Sequence, residues 1–168
     1  SGFAFIGGGQ SNTISGYYYN VIVGGLDNKN IGYNSFIGSG QYNTISGYCS
    51  SIVGGTLNTA SADCTFIGGG DRNIACASWS FVGSGYRNTA SGAVSAIVSG
   101  NDNVICSSGQ NSFIGGGDLN ESRGFKSVLV GGSINCVTNS CSAIVGGCGN
   151  VNAASLSFIG GGKENCLT

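Results

Sequence analysis

The chain has 168 residues, 33 of them Gly, with no Pro, Met or His; 8% are charged and the net charge is -1. This composition excludes a disordered chain, which couples low hydrophobicity to high net charge, and a collagen helix, which needs Pro and a strict Gly period. It argues against a nucleic-acid partner, which would need a basic patch, and no apolar run reaches the ~18 residues of a membrane-spanning helix.

One unit fills the sequence from end to end. Ser35-Phe36-Ile37-Gly38-Ser39-Gly40-Gln41-Tyr42-Asn43-Thr44-Ile45-Ser46-Gly47 is one copy. Phe5-Ile6-Gly7-Gly8-Gly9, Phe66-Ile67-Gly68-Gly69-Gly70 and Phe158-Ile159-Gly160-Gly161-Gly162 open others. An Asn column fixes the period: Asn12, Asn28, Asn43, Asn58, Asn73, Asn88, Asn103, Asn120, Asn135, Asn150 and Asn165. Subtraction gives steps of 16, then 15 five times, then 17, then 15 three times. Such regularity defines a repeat architecture. The extra residues fall near Tyr17-Tyr18-Tyr19 and Ser108-Gly109-Gln110, so the segment after Asn is read as a turn that accepts insertions.

Six residues before each Asn stands an aliphatic side chain: Ile6, Ile22, Ile37, Ile52, Ile67, Val82, Ile97, Ile114, Leu129, Ile144 and Ile159. This column is the expected core. A second apolar column follows two residues after Asn (Ile14, Ile45, Ala60, Ala75, Ala90, Ile105, Val137, Leu167), interrupted by Asn30, Ser122 and Asn152. Two short segments per coil, rich in β-branched residues and divided by Gly, predict two short strands and two turns. Gly and Ser recur too often for a helix. The expected fold is all-β: a parallel β-solenoid of eleven coils, about 15 residues each, forming one array over residues 1–168 and a rod of roughly 50 Å. The Gly three residues before Asn, as at Gly40, is expected at a corner with positive φ. The Asn column is expected to form an internal ladder, which would also bury Asn120 of the glycosylation sequon Asn120-Glu121-Ser122. Both ends fall mid-repeat and show no atypical capping coil, so a segment of a longer fibre is expected.

The residues flanking the central aliphatic side chain share the opposite face of the strand. They read Phe5/Gly7, Val21/Val23, Phe36/Gly38, Ser51/Val53, Phe66/Gly68, Phe81/Gly83, Ala96/Val98, Phe113/Gly115, Val128/Val130, Ala143/Val145 and Phe158/Gly160. Phe is always followed by Gly, and a small residue or Val by Val. Such compensation in volume suggests a close-packed face. Phe5, Phe36, Phe66, Phe81, Phe113 and Phe158, with Val23, Val53, Val98, Val130 and Val145, are therefore expected to face another chain.

The unit Ser-Phe-Ile-Gly-Gly-Gly-x-x-Asn-x-Ile-Ser-Gly resembles the head repeats of trimeric autotransporter adhesins of the YadA type. Asn58-Thr59-Ala60-Ser61 and Asn88-Thr89-Ala90-Ser91-Gly92 are similar to the related repeats of bacterial surface proteins and viral fibres. The resemblance implies a left-handed β-roll, three chains side by side with the apolar face at the threefold axis, and an extracellular place on a cell or virion surface. The coil of the adhesin heads is slightly shorter.

The cysteines are not spaced as zinc ligands, and without His no metal or cofactor is expected. Cys49 and Cys64 share one column in successive coils, within reach of a disulfide. The others read as small buried residues in place of Ser or Thr. Tyr18, Tyr33, Tyr48 and Trp79 lie in the turn after the second strand, where aromatics could bind glycans by stacking or could simply cover the turn. Asp71 and Asp118 stand three coils apart, and no Ser-His pair exists, so an enzyme is not expected. The leading expectation is a structural fibre with an adhesive role, and the alternative is a ligand-free spacer. An ice-binding solenoid would need a regular Thr column, whereas the residue after Asn runs Thr13, Lys29, Thr44, Thr59, Ile74, Thr89, Val104, Glu121, Cys136, Val151, Cys166.

Overall fold

The computed structural model describes residues 2–168. Each coil gives one strand to each of two parallel sheets, and both sheets have eleven strands. In the third coil these strands are Phe36–Ile37 and Thr44–Ile45. Successive coils stack in register, Phe36 beside Ser51 and Ile37 beside Ile52 in the first sheet, Thr44 beside Thr59 in the second. No helix occurs among the described residues. The strands are short because a corner interrupts the chain on both sides. Their backbone groups are satisfied between coils: Gly38 N donates to the Ile52 carbonyl and Thr44 N to the Asn58 carbonyl, both at 2.9 Å. One coil alone buries nothing, so its stability comes from the stack.

The two inward columns form one continuous core from Ile22 to Ile159. The two outermost described coils are the exceptions: Ile6 is 45% and Leu167 37% exposed, whereas Ile22 is fully buried, because each end coil is packed on one side only. The polar interruptions of the second column are also buried. They are tolerated because each is hydrogen-bonded. Asn30 Nδ2 donates to the Ser35 carbonyl at 3.0 Å and its Oδ1 accepts from Gly32 N at 3.3 Å. Asn152 Nδ2 donates to the Ala143 carbonyl at 3.1 Å, and Ser122 pairs with the Ser127 hydroxyl.

The Asn column is a ladder whose rungs are tied mostly to backbone. Asn43 Nδ2 donates to the Ser39 carbonyl of its own coil (3.3 Å) and the Gly55 carbonyl of the next (2.8 Å). Asn43 Oδ1 accepts from the backbone N of Asn58 at 3.0 Å. Direct amide-to-amide bonds are added at some steps, as from Asn43 Nδ2 to Asn28 Oδ1 at 3.1 Å. The pattern begins at Asn12, which donates to the Gly8 and Gly25 carbonyls, and reaches Asn165, whose N donates to Asn150 Oδ1.

A second buried ladder, absent from the sequence reading, is built of hydroxyls. Ser35 Oγ donates to the Gly47 carbonyl of the next coil at 3.0 Å. Ser112 Oγ donates to the Gly124 carbonyl at 2.8 Å and accepts from Ser127 N at 3.0 Å. Asn20 takes this role in the coil enlarged at Tyr17–Tyr19, giving Nδ2 to the Gly32 carbonyl at 2.7 Å.

The Gly corner has positive φ, +98° at Gly40, where a β-carbon would stand 2.1 Å from the Gly55 carbonyl oxygen. Two further left-handed columns carry side chains. One is the residue before Asn, including Tyr42 (φ 56°) and Ile134 (φ 57°); the other lies six residues after Asn, including Cys49 (φ 50°), Cys64 (φ 56°) and Trp79 (φ 63°).

Candidate functional site

The outward face of the first sheet is an apolar stripe running from coil to coil. None of its alternating residues is charged. Phe36, at 38% exposure, and Phe66, Phe81 and Phe113, each at 37%, lie on the surface of the single chain, as do Val23, Val53, Val98, Val130 and Val145. Phe5 and Phe158, in the outermost described coils, are more open still. Where two Phe coils adjoin, at Phe66 and Phe81, the rings stack with centroids 5.3 Å apart and planes 5° from parallel.

The Phe-then-Gly rule has a cause within one coil. The Phe113 ring lies across Gly115, with Cε1 3.4 Å from where a β-carbon would stand, and the Val130 carbonyl oxygen is 2.4 Å from that point. Phe81 and Gly83 repeat the arrangement with the Val98 carbonyl at 2.3 Å. Each Phe therefore covers its own Gly. The compensation in volume is satisfied inside the chain, and it is the exposure of the stripe that leaves a partner to be explained.

The second sheet turns a different face outward: Thr44, Ser46, Thr59, Ser61, Thr89 and Ser91 dominate its middle. The cysteines in this sheet are not buried as expected. Cys76 is exposed and Cys106 half-buried, because position three after Asn points away from the core. Arg123 grips Glu121 with two bonds, Nε–Oε1 at 2.7 Å and Nη2–Oε2 at 2.9 Å. Cys106 Sγ donates to Glu121 Oε1 at 3.1 Å. Burial, and then the bond to Glu121, push the Cys106 thiol up to about 11. Cys136 is also raised, chiefly by burial and then by the Glu121 charge. The Arg123 bond holds Glu121 below the ordinary carboxylate range.

The corner after the second strand carries the aromatics. Tyr33 lies between Tyr17 and Tyr48, with centroids 6.0 and 6.2 Å away, so neighbouring rings cover its faces. The Tyr48 hydroxyl accepts from Asn34 Nδ2 at 3.1 Å. Trp79 is 65% exposed. Neither it nor Tyr18 stacks on another ring among the described residues.

Cys49 and Cys64 are free thiols, not a disulfide. Stacking in register explains this. Equivalent atoms of neighbouring coils stay about 4.8 Å apart with parallel Cα–Cβ directions, whereas a disulfide needs β-carbons about 3.8 Å apart.

The opposite corner holds exposed charge pairs. Arg87 bonds Asp102 at 2.6 Å and lies over the Tyr86 ring at 4.8 Å; Arg72 bonds Asp71 at 2.8 Å. Such pairs contribute little each. Asp71 and Asp118 are kept apart by Tyr86 and Asn101, which stack between them. Among the described residues no three His, Cys, Asp or Glu side chains gather as a metal site, and no pocket opens.

No protein-family model matches the chain, and no curated protein matches it. The class rests on the fold: a parallel β-solenoid repeat protein of eleven coils with two short strands per coil.

Proposed function

We propose that the chain is a structural segment of a fibre, a left-handed β-roll standing side by side with two further copies as a homotrimer. The observation that carries this reading is the uncharged Phe and Val stripe exposed along one face of the rod. A continuous apolar surface of this kind marks an interaction site, and a partner with the same repeat matches its length. The resemblance to trimeric adhesin heads supports the same arrangement and a place on the outside of a cell or virion. Stacking end to end in a filament follows naturally from in-register coils. Sedimentation equilibrium of the chain tests the trimer. The expected mass is about three times the 16.7 kDa of one chain. Phe66→Asp with Val98→Asp should give monomers that keep their β-sheet circular dichroism. A monomer at every concentration would refute the proposal.

Adhesion to a surface glycan is the activity this reading adds, through Tyr18 and Trp79, whose rings have no aromatic stacking partner. The ladder of Tyr17, Tyr33 and Tyr48 favours the second reading, a spacer without ligand, because its inner ring faces are already covered. A glycan array separates the two: binding lost in Trp79→Ala supports adhesion, and no binding supports the spacer.

A further inference from the structure

The stack sets the separation of two thiols whose shared column is already visible in the sequence. Cys49 and Cys64 occupy the same corner in adjacent coils. Cys49 N donates to the Tyr33 carbonyl at 2.8 Å, and Cys64 N to the Tyr48 carbonyl at 2.7 Å. Their φ angles, 50° and 56°, are nearly the same. The two thiols therefore leave equivalent backbone positions, one coil apart. The other cysteines have no such neighbour: Cys76 and Cys106 share a column two coils apart, as do Cys136 and Cys166.

We infer that Cys49 and Cys64 form a two-coordinate site for a soft monovalent metal ion, Cu(I) being the physiological candidate. In-register coils hold equivalent atoms about 4.8 Å apart. A four-coordinate zinc–thiolate bond is about 2.3 Å and a two-coordinate Cu(I)–thiolate bond is shorter, so a linear S–Cu–S bridge spans less than about 4.6 Å, which a small turn of the two side chains supplies. The spacing that disfavours a disulfide thus fits a linear S–metal–S bridge. Thiolate is the ligand that selects Cu(I) over harder ions. Both side chains reach solvent, and Cys76 and Cys106 differ in being hydrogen-bonded to Ser91 and Glu121. As the bridge forms, each thiol loses its proton to solvent and the ion keeps its oxidation state, so no electron acceptor is needed. Trp79, the only Trp of the chain, follows Cys64 in the same column. It reports on the site without a label. The inference does not depend on the stripe having a partner.

The test is an anaerobic titration of the fully reduced chain against Cu(I) held by bicinchoninate. One Cu(I) per chain should transfer first, with Trp79 emission falling in step and levelling at one equivalent. Cys49→Ser and Cys64→Ser should each lose that equivalent and the quenching, while Cys76→Ser and Cys148→Ser keep both. Lys126→Cys, placed one coil from Cys141 in the same column, should add a second equivalent without further quenching. Transfer unchanged in either single Ser variant would overturn the assignment, as would a Lys126→Cys chain that gains nothing.

Discussion

The Phe36 ring lies across Gly38, its Cε1 3.4 Å from where a β-carbon would stand, with the Val53 carbonyl oxygen of the next coil 2.3 Å from the same point. Gly38→Val must therefore displace both a ring and a backbone, and an overpacking cost of about 2–3 kcal/mol is expected. Phe36→Ala with Gly38→Val rebuilds the side-chain pair of Ala96 and Val98 and frees room for the backbone to shift. The double variant should be less destabilised than the sum of the singles by about 1 kcal/mol or more in urea unfolding. Additive costs would show that ring and glycine act independently.

The Asn ladder predicts a steep dependence on position. Asn58 serves the Gly54 and Gly70 carbonyls and the backbone N of Asn73, at 3.1, 3.0 and 2.9 Å. Asn58→Leu leaves the Gly54 carbonyl and Asn73 N without a partner, while the Gly70 carbonyl keeps the Thr56 backbone N–H at 2.9 Å; the cost is about 1–3 kcal/mol for each orphaned group that water cannot reach. Asn165→Leu, in an exposed coil, should cost far less. Thermal unfolding gives the difference, and amide hydrogen exchange at Asn73 should accelerate in Asn58→Leu. Equal costs at the two positions would contradict the ladder's role.

The parts of this molecule with a residue type of their own were legible in the sequence. Ile37 and Asn43 recur at one period, so core and ladder follow from alignment of the copies alone. The hydroxyl ladder was hidden because Ser35 and Ser112 use a residue that is also common on the surface of this chain. The left-handed columns carry Tyr42, Leu57, Arg72, Cys64 and Trp79, which share no chemistry; only the backbone shows that they share a conformation. Cys49 and Cys64 were correctly placed in one column, but the column does not give the distance between their β-carbons. The Phe–Gly alternation was visible, while its cause needed the position of the ring.

Ile134 is β-branched, has φ of 57° and is 57% exposed. The left-handed region costs an L-residue about 1–2 kcal/mol, and exposure leaves little packing to offset it. Asn reaches this conformation more easily. Ile134→Asn should stabilise the chain by about 1 kcal/mol, read as a higher urea midpoint with an unchanged slope. Leu119→Asn, in the same column but without branching at Cβ, should gain less.

Ser80 is buried, and its hydroxyl has no hydrogen-bond partner. The equivalent acceptor in the next coil, the Gly92 carbonyl, receives the Ser95 hydroxyl instead. Ser80→Ala should therefore be neutral or stabilising, since it removes an unsatisfied polar group. Ser112→Ala leaves the Gly124 carbonyl with the Ser127 hydroxyl at 3.0 Å but removes the acceptor of the buried Ser127 N, and about 1–3 kcal/mol is expected to be lost. Similar losses from both substitutions would mean that the hydroxyl column acts by volume alone.

Cys106 gives the rod a pH dependence of known sign. Its thiol is raised from the ordinary cysteine value of 9.0 to about 11, first by burial and then by its bond to Glu121. The folded state therefore holds this proton more tightly than the unfolded chain. The associated stability is fully present below about pH 9 and is lost as pH rises through about 11. Glu121 acts at the other end of the scale. Its carboxyl is lowered by Arg123, so its contribution is present above the ordinary carboxylate range and is lost as pH falls through the folded value. Cys106→Ala should flatten the alkaline decline in urea midpoint and, by removing the thiol's bond to Glu121, soften the acid decline only in part, since Arg123 is the main cause of the lowered carboxyl. Glu121→Gln should flatten the acid decline and lower the Cys106 pKa, which speeds alkylation of Cys106 at pH 8–9, followed by peptide mass mapping. An alkaline decline that is the same with and without Cys106 would place its origin in another group.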